Sequence, residues 1–288
     1  MEASSKLLIK LDVIEGEIIK RPSKSCKTPY VADVKMNDGT EILGHSPSLG
    51  CCGLADKESN VLMTKIDETK TKTKRVCSHR IDLSLYRENE HEIVVGINPK
   101  LGETIAEEAL KKGFILHLDN VISYKREVTY LNSRFDFAGV DKNGKPFVME
   151  IKNVPLADYV DVPKKDRKKY LDQINTKGFH EKISYFPDGY RKNSADVVSP
   201  RALKHIQELE EIAISGQHRA ILCFIIQRND VMRFQTSNID LTYKEAVNKA
   251  YRNGVEIKTI QVEWNKLGEC YFVRNDLPIH LQLTKTNN

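Results

Sequence analysis

No apolar run of about 18 residues occurs anywhere in this 288-residue sequence, which removes a membrane-spanning helix from consideration. Its first residues, Met1-Glu-Ala-Ser-Ser-Lys6, lack the apolar core of a secretory signal. The expectation is an intracellular, non-secreted protein of the cytoplasm, nucleoid or nucleus, with no membrane partner. Cysteine is sparse and badly spaced for metal. Cys26, Cys51, Cys52, Cys77, Cys223 and Cys270 form no C-X-X-C pair, and the histidines do not complete a zinc pattern. Reduced thiols are expected, with Cys223 buried in its apolar run and Cys51-Cys52 beside His45 as a minor metal alternative. No internal repeat or low-complexity segment is present, so a solenoid is excluded.

What is present is charge, unevenly placed. The net charge is +5 with a pI near 8.7, which permits a polyanionic partner without requiring one. Between residues 65 and 80, Lys65, Lys70, Lys72, Lys74, Arg75 and Arg80 face only Asp67 and Glu68. A solvated loop and a phosphate-binding track both fit that run. A second basic group, Lys164, Lys165, Arg167, Lys168 and Lys169, falls in a polar stretch over 158–184. That stretch reads as a surface insertion or a nucleic-acid-contacting arm.

Turn signals divide the rest. Residues 6–19 read as two strands around Glu15-Gly16, and further strands are expected over 30–36, 41–44, 61–66, 76–86 and 91–97. Five or so short strands in this length suit a small barrel of the OB type. Asn98-Pro99 ends that region. A helix is expected over 103–112, stopped by Gly113, and then a strand over 121–131. Ser199-Pro200 starts a second helix that runs to about 215 and ends at Gly216. Its apolar stripe is Ala202, Ile206, Leu209 and Ala213; Arg201, Lys204, His205 and Glu208 form the opposite stripe. Residues 219–227 form a buried strand, 242–252 a helix, and 255–264 with 269–273 a closing strand pair. The expected fold class is mixed α/β, with domains at 1–98 and 99–288.

The chemistry gathers in Ser133-Arg-Phe-Asp-Phe-Ala-Gly-Val-Asp-Lys-Asn-Gly-Lys-Pro-Phe-Val-Met-Glu-Ile-Lys152. Two strands, 133–140 and 146–154, flank a tight turn. Glu150 and Lys152 share one strand face, and Phe135, Phe137, Met149 and Ile151 are expected on the other. A two-residue turn would set Asp136 opposite Ile151. A three-residue loop, Lys142-Asn143-Gly144, sets it opposite Glu150 and assembles Asp136, Glu150 and Lys152. Carboxylate oxygens hold Mg²⁺ with open positions, and a nearby ammonium can orient water. Asp followed by Glu-X-Lys is the PD-(D/E)XK nuclease pattern, and taken alone it also fits an exposed hairpin with ordinary charges.

Several segments together resemble one family. Ser133-Arg-Phe-Asp-Phe, Glu150-Ile-Lys-Asn-Val, Phe186-Pro-Asp188, Arg201-Ala-Leu-Lys-His205 with Glu208-Leu209, and Gly254-Val-Glu-Ile are similar to the sugar fermentation stimulation protein A (SfsA) family. Val31-Ala-Asp-Val, Asp38-Gly39 and His45-Ser-Pro-Ser-Leu-Gly50 fall in order upstream. Ser48-Leu49 stands where that family has Asn-Thr, and Ala202 where it has Gly. The resemblance implies an N-terminal OB-like β-barrel followed by a restriction-endonuclease-like α/β domain, DNA binding, and a link to sugar-metabolism genes. Carried over by position, it implies Asp136 and Glu150 as metal ligands for Mg²⁺ or Mn²⁺. It implies Lys152, Glu127 and His205 as catalytic groups, and Arg201 and Lys204 as nucleic-acid contacts, joined by the basic run Lys70, Lys72, Lys74 and Arg75. Asp188 matches a further position, where a turn or cap role is expected.

Two functions follow. One is a Mg²⁺-dependent nuclease on duplex or single-stranded DNA; the other is a non-catalytic DNA-binding regulator that keeps the fold and its basic surface. A single-strand binder led by the barrel would need stacking aromatics there, and Tyr30 and Tyr86 are the candidates.

Overall fold

Gly16 explains the first departure from the sequence pattern. The structure, a computed structural model, describes residues 6–48, 53–67, 76–187 and 196–281. In it the chain breaks at Leu11 to Val13, between β1 (Leu7–Lys10) and β2 (Ile14–Lys20), and Gly16 lies inside β2. A Cβ there would stand 2.7 Å from Val34 and 2.9 Å from Met63, so glycine lets the neighbouring strands close up. It is not a turn residue here.

β3 (Val31–Met36), β4 (Glu41–His45), β5 (Asn60–Lys65), β6 (His79–Glu88) and β7 (His91–Gly96) follow. Ile18, Val34, Val61, Met63, Ile81 and Val95 point inward from them and form one core. The order is β4-β3-β2-β5-β6-β7, and β4 also meets β6 in parallel through Gly44–His79 and His45–Arg80. That return contact is short. β6 and β7 lead on instead into the rest of the sheet, through Trp264 opposite Val94, so among the described residues no clear barrel stands apart from the remainder.

α1 (Pro99–Lys111) begins earlier than the apolar spacing suggests, because Asn98 caps it. Asn98 Oδ1 accepts the Lys100 N–H at 3.0 Å, and its Nδ2 donates to the buried Asp82 of β6 at 2.7 Å. One side chain thus fixes the helix start to the N-terminal strands. β8 (Ser123–Tyr130), β9 (Ser133–Val140) and β10 (Pro146–Val154) are antiparallel neighbours. β13 (Arg219–Ile226) then pairs in parallel with β10, and β15 (Glu256–Trp264) in parallel with β13. β16 (Glu269–Arg274) closes antiparallel on β15 and takes β1 on its other side.

The helices cover both faces, as parallel strands require. α1 packs with Phe137, Met149 and Cys223, while α3 (Pro200–Ser215) and α4 (Leu241–Arg252) pack on Val148, Leu222 and Phe224. Among the described residues the main sheet has 13 strands, which makes this a mixed α/β protein that is mostly sheet. Cys223 is fully buried, as expected, and burial pushes its thiol up to about 12.

The stretch over 158–184 is more than a surface arm. It holds a short helix, α2 (Leu171–Asn175), and forms part of a second sheet. That sheet runs β11 (Ala157–Asp158), β12 (Lys182–Phe186), β14 (Val231–Thr236), β17 (Ile279–His280). Tyr159, Val160 and Ile174 give it a small core of its own. Lys182 is buried between Glu88 at 2.8 Å and Asp230 at 3.2 Å, with its ammonium 3.7 Å from the Phe179 ring centroid.

Candidate active site

The β9–β10 connection sets the geometry of the site. Pro146 pairs with Val140 and Met149 with Phe137, so the loop is Lys142-Asn143-Gly144, with Gly144 at φ +79°. Asp141 Oδ1 accepts the N–H groups of Asn143 at 2.9 Å and Lys145 at 3.0 Å, which holds the loop shut. Continuing that register sets Asp136 across from Glu150. The ladder itself stops at Phe137, and the Asp136 carboxylate takes the next donor, accepting the Ile151 N–H at 2.7 Å.

Phe135 departs from the expected alternation. Phe137, Met149 and Ile151 face α1, but Phe135 turns to the α3 side, 5.7 Å from the His205 ring. The irregularity coincides with Glu127, which sits opposite Asp136 on β8 in the left-handed region, at φ +52°. Its carboxylate is exposed and lies 3.6 Å from Arg134. The structure does not bring Glu127 into the cleft.

α3 supplies the other wall. His205 and Glu208 are buried, so half of the predicted polar stripe turns inward while Arg201 and Lys204 stay exposed. His205 Nδ1 lies 2.5 Å from Glu150 Oε1, and Lys152 Nζ donates to the same oxygen at 2.6 Å. A polar residue can face inward where a remote strand offers it a partner. Burial works against the Glu150 charge, but the Lys152 ammonium and His205 outweigh it and hold the carboxyl below its ordinary range. Because Glu150 is then a carboxylate, His205 Nδ1 must carry the hydrogen. Glu150 Oε2 is buried and has no hydrogen-bond partner among the described residues.

Asp136 goes the other way. Burial and then the Glu150 charge push its carboxyl up to about 7, against the Ile151 N–H and Lys152, which favour the anion. Two carboxylates in one poorly solvated cleft resist ionising together unless a cation joins them.

The cleft has a volume of about 330 Å³, and Glu103, Asp136, Glu150, Lys152, Asn153 and Arg201 line it. Arg201 is exposed at its rim. Lys204 is turned elsewhere: it donates to Asn132 O at 2.7 Å and lies 3.6 Å from Glu208. Lys70, Lys72, Lys74, Arg75, Asp188, Cys51 and Cys52 lie outside the described residues. Among the described residues no three or more His, Cys, Asp or Glu side chains are grouped to hold a metal ion by themselves.

Two lining residues were not singled out from the sequence. Glu103 sits in the first part of α1 and accepts from Arg126 at 3.1 Å. An acidic residue near a helix start reads simply as a favourable charge on the dipole. Asn153 accepts from the buried Gln227 Nε2 at 2.5 Å, a partner 74 positions away that no local pattern reveals.

Comparison with known proteins agrees along most of the chain. The family model described as "Sugar fermentation stimulation protein RE domain" matches residues 100–165 and 162–268. A sugar fermentation stimulation protein homolog of Brucella anthropi is 30% identical over 253 residues, covering 87% of this chain and 90% of that one. The homolog of Shewanella sediminis is 28% identical over 261 residues, covering 88% and 93%. The structure of Pyrococcus furiosus SfsA in complex with Ca²⁺ superposes with a TM-score of 0.70 at 18% identity, over 95% of this chain and 99% of that one, a likeness of fold. No helix of the described residues is long and apolar enough to cross a membrane. On the extent of these matches, the chain belongs to the sugar fermentation stimulation protein (SfsA) family.

Proposed function

We propose that this chain is a divalent-cation-dependent phosphodiesterase that acts on DNA. The observation that carries the reading is the pairing of Asp136 and Glu150 in one cleft, with Glu150 Oε2 buried and without a donor. A buried carboxylate oxygen left unpaired loses its hydration for nothing, and a hard cation would offset that loss. The donor set fits: two carboxylates, oxygen only, leave room for water, as Mg²⁺ prefers. Pyrococcus furiosus SfsA was solved with Ca²⁺, which supports a hard divalent ion of this kind; Mg²⁺ or Mn²⁺ is the ion proposed.

Asp136 and Glu150 would hold the cation, which supplies Lewis-acid polarisation of a phosphoryl oxygen and a more acidic water. The chain's own groups do the rest. The Lys152 ammonium orients the attacking water and offsets charge building on the phosphorane oxygens. His205 fixes the Glu150 carboxylate by holding Oε1, so it is a positioning residue. Arg201 receives the phosphate at the rim. We further read residues 1–98 as an OB-like unit and 99–288 as nuclease-like, a division that the Asn98 cap and the β7–β15 contact would bridge.

Labelled single- and double-stranded DNA, incubated with Mg²⁺, Mn²⁺ or EDTA, tests the reading beside Glu150→Gln and Lys152→Met. Metal-dependent cutting lost in both variants is expected. If the wild-type protein binds DNA but cuts under no metal, and both variants bind as well, the chain is the non-catalytic DNA-binding regulator instead.

A further inference from the structure

Beyond the carboxylate cleft lies a second cavity of about 340 Å³, and the two share Leu156 and Tyr185 as a common wall. The charge balance reverses across that wall. The first cleft has Glu103, Asp136 and Glu150 against Lys152 and Arg201. The second has Lys164, Arg167 and Arg228; Asp158 pairs with Arg167 and Asp230 with Arg228, which leaves Lys164 as its exposed cation. One suits a cation and the other an anion, side by side.

The second cavity also has apolar and aromatic walls. Leu54, Val162 and Tyr86 line it, so it joins the N-terminal strands to the segment that follows Glu-X-Lys. Arg228 is fixed by a two-armed pair with Asp230, at 2.6 and 2.7 Å, and its guanidinium lies 5.1 Å from the Tyr86 ring centroid. Arg167 is held likewise by Asp158, at 2.7 and 3.1 Å. Lys164 is exposed at the edge. Rigidly held cations beside an aromatic face and an apolar floor are what a nucleotide needs, phosphate on one side and base on the other.

We propose that this cavity is a subsite for one unpaired nucleotide next to the scissile phosphate. A base kept in a duplex stays stacked and paired, so only a single strand or a frayed end can place it in such a recess. The inference rests on the nuclease reading and adds a substrate class to it: strands with an unpaired segment at the cleft. It also gives the basic part of 158–184 and Tyr86 a use that the carboxylate chemistry leaves open.

Binding of fluorescent oligothymidylate and of a duplex of equal length, in EDTA and low salt, tests the subsite on the full chain. The variants are Lys164→Glu, an exposed change, and Tyr86→Leu, with thermal midpoints as the folding control. Each is expected to weaken single-strand binding about tenfold, with Lys164→Glu also flattening the salt dependence by roughly one counterion, while duplex binding moves about twofold or less. Wild-type single-strand affinity in the Lys164→Glu variant overturns the subsite and leaves metal-dependent cleavage standing. An equal loss on duplex and single strand makes the cavity a general backbone track and also overturns it. If the wild-type protein binds neither, the DNA reading falls together with the subsite.

Discussion

The Asp136 carboxylate accepts the Ile151 N–H at 2.7 Å, one residue past the last paired position of the hairpin, so a side chain continues the ladder where the backbone stops. That placement buries the acid beside Glu150 and lifts it from 3.8 to about 7. The sign follows from linkage. A raised acid is stabilising in its protonated form, fully so below about pH 4, and that contribution is lost as pH rises through about 7. Asp136→Asn keeps an oxygen for Ile151 and removes the charge. In EDTA it should be more stable than wild type at pH 8, by on the order of 2 kcal/mol, with the difference vanishing toward pH 4. Urea melts at the two pH values check this. Equal stability of the two proteins at pH 8 would contradict it.

Cation binding should carry the opposite pH dependence. A ligand must lose its proton first, so apparent Mn²⁺ affinity should climb up to about tenfold per pH unit below about 7 and then level off. Calorimetric titration across pH 5.5 to 8.5, about three units, measures the curve. A flat profile would mean that Asp136 does not bind the ion.

His205 should act through Glu150. Removing its ring in His205→Ala leaves the buried Glu150 carboxylate with Lys152 as its one remaining hydrogen-bond partner among the described residues. Losing one partner of a buried charged contact costs about 2–4 kcal/mol. His205→Asn keeps an N–H near the Nδ1 position and should recover part of the melting temperature and part of the Mn²⁺ affinity. If the Ala and Asn variants are equally impaired, packing rather than the hydrogen bond is what His205 contributes.

The hairpin register was legible because loop length and face alternation are local rules, and the Ser199 and Gly216 ends of α3 were legible for the same reason. What escaped depends on partners far along the chain. Nothing near His205 says that Glu150, 55 positions away, will turn it inward. Lys182 is buried by Glu88 and Asp230, and Phe135 packs on the α3 side, near His205, rather than with Phe137. The N-terminal strands were legible as strands, although the first break falls at Leu11–Val13 rather than at Glu15-Gly16. Their continuity with the second half rests on Trp264 meeting Val94, a pairing without a sequence signal.

Gly96 marks that junction. A Cβ there would come within 1.8 Å of Gln227 Oε1 and 2.8 Å of Trp264 Nε1. Gln227 Oε1 accepts from Trp264 at 2.8 Å while its Nε2 donates to Asn153 at the cleft. Gly96→Ala should therefore displace Gln227 and cost about 3 kcal/mol, from overpacking and two broken buried hydrogen bonds. Adding Gln227→Ala should cost less than the two single effects summed, because the clash is then relieved. A double-mutant cycle by denaturant melts measures this, and simple additivity would mean that the two residues do not meet.

Glu127 separates the family resemblance from the geometry. The resemblance counts it among the catalytic groups, yet its side chain is exposed, near Arg134, and outside the cleft lining. Its backbone is left-handed at φ +52°, which costs a side-chain-bearing residue about 1 kcal/mol relative to glycine. Glu127→Gly should thus be as stable as wild type or more so, by up to about 1 kcal/mol. Glu127→Gln should leave DNA cleavage within about twofold of wild type, since a carboxylate that does not touch the reacting atoms has little to withdraw from the transition state. A loss of about a hundredfold, with folding intact, would show that β8 swings this acid into the site when substrate and cation are present.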